Sequence, residues 1–161
     1  SKGIQMRILE ESAKLFRAAP HRLKKVAEAR GIEFWNDSKG TNFHAVYAAL
    51  SQFDIPVRWI GGGKWKGGDL KRFAEQVSSK IESAYLIGET APDLLKTFEA
   101  LGKPARIYNS LQDAVVAAAK DAHGPMAILL SPGFSSFDQF AGYAERGVVF
   151  ERAAVALSNR I

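Results

Sequence analysis

Three polar or glycine-rich runs in this 161-residue chain carry the side chains with chemical potential. The first is Asn36-Asp37-Ser38-Lys39-Gly40-Thr41-Asn42, which sets a carboxylate, two hydroxyls and an ammonium just ahead of a helical pattern. Backbone N–H groups at a helix start already favour anions, and Lys39 adds a full charge. Asp37 has the chemistry to accept hydrogen bonds from ribose hydroxyls or to orient Lys39. The plainer alternative is a loop in which Asp37, Ser38 or Thr41 caps the helix. The second run is Gly61-Gly62-Gly63-Lys64-Trp65-Lys66-Gly67-Gly68-Asp69. Its glycines let the backbone turn tightly and approach a ligand, and its lysines offer charge to a carboxylate or phosphate. Solvated lysines on a surface loop are the alternative, weakened by Trp65 between them. The third run, Ser131 to Asp138, leads through Gln139-Phe140 to Tyr143-Ala144-Glu145-Arg146-Gly147. Its adjacent serines, Ser135 and Ser136, either converge on an acidic ligand or cap a short following helix.

Several chemistries are excluded. The G-x-x-x-x-G-K-[ST] phosphate loop is missing, and so is the Gly-x-Ser-x-Gly nucleophile elbow. Cysteine is absent, which removes disulfides, thiol catalysis and thiolate metal sites. His21, His44 and His123 lack metal-ligand spacing, so no protein metal site is expected. His21-Arg22 can reach a nucleotide or stand as an exposed linker pair, and Glu89 reads as the cap of the next helix. The net charge of +5 suits an anionic partner without choosing one. With 47% hydrophobic and 24% charged residues, the composition is that of a soluble globular domain. No apolar run approaches the roughly 20 residues of a membrane span, and no leader is read at the start. A cytoplasmic protein is the simplest expectation.

The elements that must position these runs follow from periodicity. Ile4 to Phe16 has near-helical spacing and stops before Pro20. Leu23 to Ala29 and Ile32 to Asn36 read as strands joined by a tight hairpin at Arg30-Gly31. Helices are expected at Asn42–Phe53, Leu70–Val77, Pro92–Ala100, Leu111–Ala122 (capped by Ser110) and Tyr143–Leu157. Strands are expected at Pro56–Ile60, Ala84–Ile87, Ala105–Tyr108 and Met126–Leu130. Strands alternating with single helices predict an α/β fold of Rossmann-like form. It is a mostly parallel sheet of about six strands, with an antiparallel edge strand and helices on both faces. Ligands of such sheets collect beyond the carboxyl ends of the strands, where all three runs fall.

Pro20-His21-Arg22-Leu23, the Asn36–Asn42 run, Gly62-Gly63 to Lys66-Gly67 to Asp69, Leu129-Leu130-Ser131-Pro132, Ser136-Phe137-Asp138-Gln139-Phe140 and Glu145-Arg146-Gly147 with Phe150 share the order and spacing of one family. Over residues 20 to 157 the chain resembles the C-terminal, third domain of the Mur ligases, in the branch that adds glutamate to UDP-N-acetylmuramoyl-alanine. Gly40, Gly133-Phe134-Ser135 and Tyr143 depart from the family's more usual residues, which bears on the fine shape of the glutamate pocket.

The resemblance implies a glutamate- and nucleotide-binding domain of an ATP-dependent amide-forming ligase, which works through an acyl phosphate. It implies Lys39 near the phosphoryl group and the reacting carboxyl as the catalytic residue. It implies Thr41, Lys66, Ser136 and Tyr143 on D-glutamate, and Arg22 and Asp37 on ATP or ADP. Mg2+ and most ATP contacts belong to a central domain not found in this chain, whose final helix and linker would be residues 1–19. The partners implied are D-glutamate, ATP and UDP-N-acetylmuramoyl-L-alanine, with no nucleic acid and no membrane, for a monomeric enzyme. Residues 20–161 are then expected to fold alone and to be inactive alone. The competing class is a nucleotide or single-stranded nucleic-acid binding module using Arg58, Lys64, Trp65 and Lys66.

Overall fold

The structure, a computed structural model, describes residues 20–161. The helix expected over Ile4–Phe16 lies outside the described residues. The chain opens with a hairpin of β1 (Lys24–Ala29) and β2 (Ile32–Asn36). Arg30 and Gly31 both take positive φ, 51° and 78°, as a two-residue turn matched to strand twist requires. From β2 the chain alternates through α1 (Phe43–Leu50), β3 (Val57–Gly61), α2 (Leu70–Ser78), β4 (Ser83–Leu86) and α3 (Ala91–Ala100). It continues through β5 (Ala105–Ile107), α4 (Leu111–Ala119), β6 (Met126–Leu130) and α5 (Tyr143–Ser158).

The six strands form one sheet in the order β1-β2-β6-β3-β4-β5. Only the β1–β2 pair is antiparallel, so the sheet is the mostly parallel one expected, with its antiparallel edge. Right-handed crossovers then distribute the helices. The steps from β2 to β3, β4 and β5 run one way and put α1, α2 and α3 on one face. The step back from β5 to β6 puts α4 on the other, where α5 joins it.

Side chains on β6 alternate between the two cores. Ala127 and Leu129 join Trp59, Phe73, Phe98 and Phe134 under α1–α3. Met126, Ile128 and Leu130 join Ile32, Phe34 and Phe150 under α4 and α5. Large side chains buried this fully contribute roughly 1.5–3 kcal/mol each. All five residues of β6 are buried, as a central parallel strand demands.

Capping fixes where the helices begin. Asn42 accepts from Ala45 N at 2.8 Å, so it caps α1, and Asp37, Ser38 and Thr41 are left for other contacts. Asp69 caps α2, and Ser110 caps α4 as expected. Glu89 does not hold the cap position expected of it. It is exposed, Thr90 stands at the N-cap, and the Thr90 hydroxyl makes no capping bond. Helix α4 ends at Ala119 instead of Ala122, because Lys120 is extended at ψ 131°. No helix follows Ser135 and Ser136 directly. Ser136 O instead accepts the N–H groups of Gln139 and Phe140 in a turn.

Candidate functional site at the sheet switch point

The three runs leave the carboxyl ends of β2, β6 and β3, which are neighbours in the sheet. The chain departs from β2 towards α1 on one face and from β6 towards α5 on the other. The ends of these strands are a topological switch point, where ligands of open α/β sheets settle.

The loop after β2 is wired into its surroundings. Asp37 is buried, and both its carboxylate oxygens are engaged. Leu23 N donates to Oδ1 at 3.0 Å and the Ser131 hydroxyl to Oδ2 at 2.8 Å. Burial pushes the Asp37 pKa above its ordinary 3.8, against the opposing pull of Ser131, the Leu23 N–H and Arg22. A Cβ on Gly40 would lie 2.6 Å from Asp37 Oδ2, so glycine lets this loop fold over its own carboxylate.

Beneath the loop sits Arg146 of α5, with only 1% of its surface exposed. Its Nε donates to Ser38 Oγ at 3.0 Å, Nη2 to Ser38 O at 2.7 Å and Nη1 to Phe134 O at 3.1 Å. Burial lowers its pKa to about 10, with Asp138 opposing, and it stays charged at neutral pH. One guanidinium thus ties α5 to the loops after β2 and β6. It also projects charge upwards: Lys66 is held below its usual pKa, first by desolvation and then by Arg146.

The remaining candidates rim this charge. The Lys39 ammonium lies 5.7 Å from the centre of the Tyr143 ring, and the Tyr143 carbonyl accepts the Ser38 hydroxyl at 2.7 Å. The Lys66 ammonium donates to the carbonyl of Thr41, bridging the loops after β3 and β2. Lys64 pairs with Ser135, with Lys64 N donating to Ser135 O at 2.9 Å, which brings Ser136 beside the same arm. Asp37, Lys39, Thr41, Lys66, Ser136 and Tyr143 therefore gather at one edge. Arg22 is exposed beside them, close enough to bias Asp37.

Other expectations separate. The Arg58 guanidinium is taken by the carbonyls of Ala118 and Lys120 and by Glu82, so it does not join Lys64, Trp65 and Lys66. His44 and His123 are exposed, and among the described residues no group of three His, Cys, Asp or Glu could hold a metal. His21 is not a linker residue in water. Its ring meets Tyr143 edge-on at 6.2 Å and packs where a Cβ on Gly147 would come within 2.1 Å of Nδ1. Its carbonyl accepts Lys39 N at 2.9 Å.

Sequence reasoning gave no role to Asn36 and Arg146, which it named only as members of runs, and did not name Thr90; all three are buried and polar. Asn36 Nδ2 reaches His21 Nδ1 at 2.9 Å and Glu151 Oε1 at 3.0 Å, while its Oδ1 accepts Ser38 N. The available signals were a polar residue ending an apolar strand and an arginine in phase with the apolar positions Phe150 and Ala154.

Residues 21–134 match the family model described as the Mur ligase, glutamate ligase domain. The chain is 37% identical over 150 residues to the UDP-N-acetylmuramoylalanine–D-glutamate ligase of Caldicellulosiruptor bescii, covering 92% of this chain and 33% of that protein. It is 41% identical over 160 residues to the ligase of the same name from Nitrobacter winogradskyi, covering 96% and 34%. The chain thus spans about a third of the length of these curated relatives. Among solved structures, it superposes on the UDP-N-acetylmuramate–alanine ligase of Thermotoga maritima with a TM-score of 0.66 at 12% identity, covering 93% of this chain and 32% of that one. It also superposes on the bifunctional folylpolyglutamate synthase/dihydrofolate synthase of Yersinia pestis, with a TM-score of 0.60 at 17% identity, covering 87% and 31%. At these identities the two likenesses are of fold.

Proposed function

This chain belongs to the Mur ligase, glutamate ligase domain family, and we propose that it binds glutamate and nucleotide within an ATP-dependent ligase. The reaction is addition of D-glutamate to UDP-N-acetylmuramoyl-L-alanine in peptidoglycan precursor synthesis. The observation that supports this reading is one cationic edge beyond the strand ends. There Lys66 bonds to the Thr41 carbonyl and feels the buried Arg146, Lys39 lies over the Tyr143 ring, and the buried Ser136 follows Ser135, which bridges to Lys64.

The chemistry fits a small dianion. Two carboxylates need fixed positive charge and several neutral donors, in a site where water is partly excluded. Lys66 supplies an ammonium on an exposed arm, desolvated only in part and hydrogen-bonded to the Thr41 carbonyl, which glutamate can replace as its partner. Ser136 and Thr41 supply hydroxyls, and Tyr143 supplies a ring edge or backbone contact. Arg146 reaches no carboxylate through its hydrogen bonds, and it favours any anion brought above it.

Arg22, exposed, and Lys39, half-buried, are the cations suited to the nucleotide's phosphates. ATP, when bound, supplies the phosphoryl group that activates the muramoyl-alanine carboxylate as an acyl phosphate. Lys39 steadies the negative charge of the reacting groups. Asp37 orients the loop that carries Lys39, and a ribose contact would add to its two internal bonds. No step requires this chain to hold Mg2+; that role falls to the rest of the ligase. The same reading implies a cytoplasmic, monomeric enzyme, and turnover that needs more than residues 20–161.

The test is Lys66→Ala in the full-length ligase that carries this chain, with phosphate release as the assay. Loss of one charged hydrogen bond to substrate is expected to raise the glutamate KM about tenfold or more, with the ATP KM within about twofold. An unchanged glutamate KM removes Lys66 from the carboxylate site.

A further inference from the structure

The turn between β4 and α3, Gly88-Glu89-Thr90, touches both loops assigned above to glutamate without contributing a ligand to either. Thr90 N donates to Gly63 O at 3.0 Å, and Gly63 N donates back to Thr90 Oγ1 at 3.1 Å. That reciprocal pair grips the loop after β3 three residues before Lys66. On the other side, Glu89 N donates to Asp138 Oδ2 at 2.8 Å, two residues after Ser136. Gly88 closes the gap between them: at φ 79°, a Cβ there would lie 2.5 Å from Asp138 Oδ2 and 2.8 Å from Gly63 Cα. Lys64 N to Ser135 O at 2.9 Å completes a triangle of contacts among the three segments.

We propose that this turn is a spacer fixing the distance between Lys66 and Ser136, with Thr90 and Asp138 as positioning residues for glutamate. The inference rests on the carboxylate-binding reading of Lys66 and Ser136. The Thr90 hydroxyl is free for this work because it does not cap α3. Thr90 is 2% exposed and Gly63 is buried, so the Gly63 N–H has no water to replace a lost partner. Residues 64 to 69 are exposed, so the register of Lys66 is set mainly from this anchor.

The full-length ligase tests it through Thr90→Val, which keeps the shape and removes the acceptor. The glutamate KM is expected to rise about tenfold while the ATP KM stays within about twofold. Thr90→Ser, which keeps the hydroxyl, restores the wild-type value. In a Lys66→Ala background, Thr90→Val adds less than about twofold, because its effect passes through Lys66. Should Thr90→Val fail to fold, Asp138→Ala reads the same spacer from the other loop, with the same expected rise. The spacer is overturned if Lys66→Ala raises the glutamate KM and Thr90→Val does not. It is equally overturned if Thr90→Val raises every KM and keeps its full factor beside Lys66→Ala. If neither variant moves the glutamate KM, the carboxylate site itself fails, and the spacer with it.

Discussion

The loop after β2 and the loop after β3 flank the same site and are built in opposite ways. In the first, Asp37, Ser38 and Gly40 are buried, and side-chain bonds tie the segment to Leu23, Ser131, Tyr143 and Arg146. In the second, Gly62 and Gly63 are held through their backbones, and everything from Lys64 to Asp69 is exposed. Trp65 alone leaves 42% of its surface in water. The contrast separates two tasks. A buried, hydrogen-bonded wall holds charge where water cannot screen it, while an exposed arm lets an ammonium exchange one partner for another. Damage to the wall should therefore cost folding, and damage to the arm should cost binding.

Arg146→Met is the strongest attempt to break that distinction. It leaves the carbonyls of Ser38 and Phe134 without their donor, and stability should fall by about 2–4 kcal/mol, offset only in part by relief of the guanidinium's burial. Urea unfolding of residues 20–161 measures it, and a loss below about 0.5 kcal/mol would mean the wall does not depend on Arg146. Gly147→Ala comes next. Its methyl group would occupy the place of the His21 ring and displace it from Asn36, for an expected loss of about 1–3 kcal/mol in the same titration.

A smaller effect sharpens the comparison through pH. Because burial raises the Asp37 pKa, the folded protein keeps a proton there that the unfolded chain has already released above pH 3.8. Stability contributed by this group therefore falls as pH rises from 3.8 through the folded value, and is level above it. Asp37→Asn should remove that slope when unfolding free energy is followed from about pH 3 to pH 7. An identical slope in the variant would assign it to other groups. The smallest expected effect is on the arm. Lys66→Ala should change stability by no more than about 0.5 kcal/mol, even as it weakens glutamate use. A larger loss would mean that the bridge to Thr41 is structural.

The architecture was legible because it is written locally. Apolar runs such as Ala127-Ile128-Leu129-Leu130, the Arg30-Gly31 turn and the Ser110 cap each act within a few residues, and each stands where expected. The shared location of the runs that carry Asp37, Lys39, Thr41, Lys66 and Ser136 was legible because polar runs after neighbouring parallel strands leave at the same end of the sheet. The choice of residues within them, and of Tyr143, came from the resemblance. What escaped depends on contacts between distant parts of the chain. Arg146 and Ser38 are 108 positions apart, and Asn36 and Glu151 are 115. An arginine in a helix ordinarily reads as solvated, and this one is buried where α5 meets the loops after β2 and β6. Glu89 was chosen as a cap on type and position alone, whereas the backbone puts Thr90 there and turns its hydroxyl to Gly63.

The place of β6 also dictates an order of assembly. It is the last strand made, yet it lies between β2 and β3 and pairs with both. Among the described strands, β6 is the one that hydrogen-bonds β2 to β3, so without it the β1–β2 hairpin and the β3–β4–β5 sheet share no backbone pairing. The two halves, and the edge between them where the three polar runs lie, therefore come together only when β6 is in place. Arg146, which lies beyond β6 in the chain, can tie the loops after β2 and β6 together only once both strands have paired.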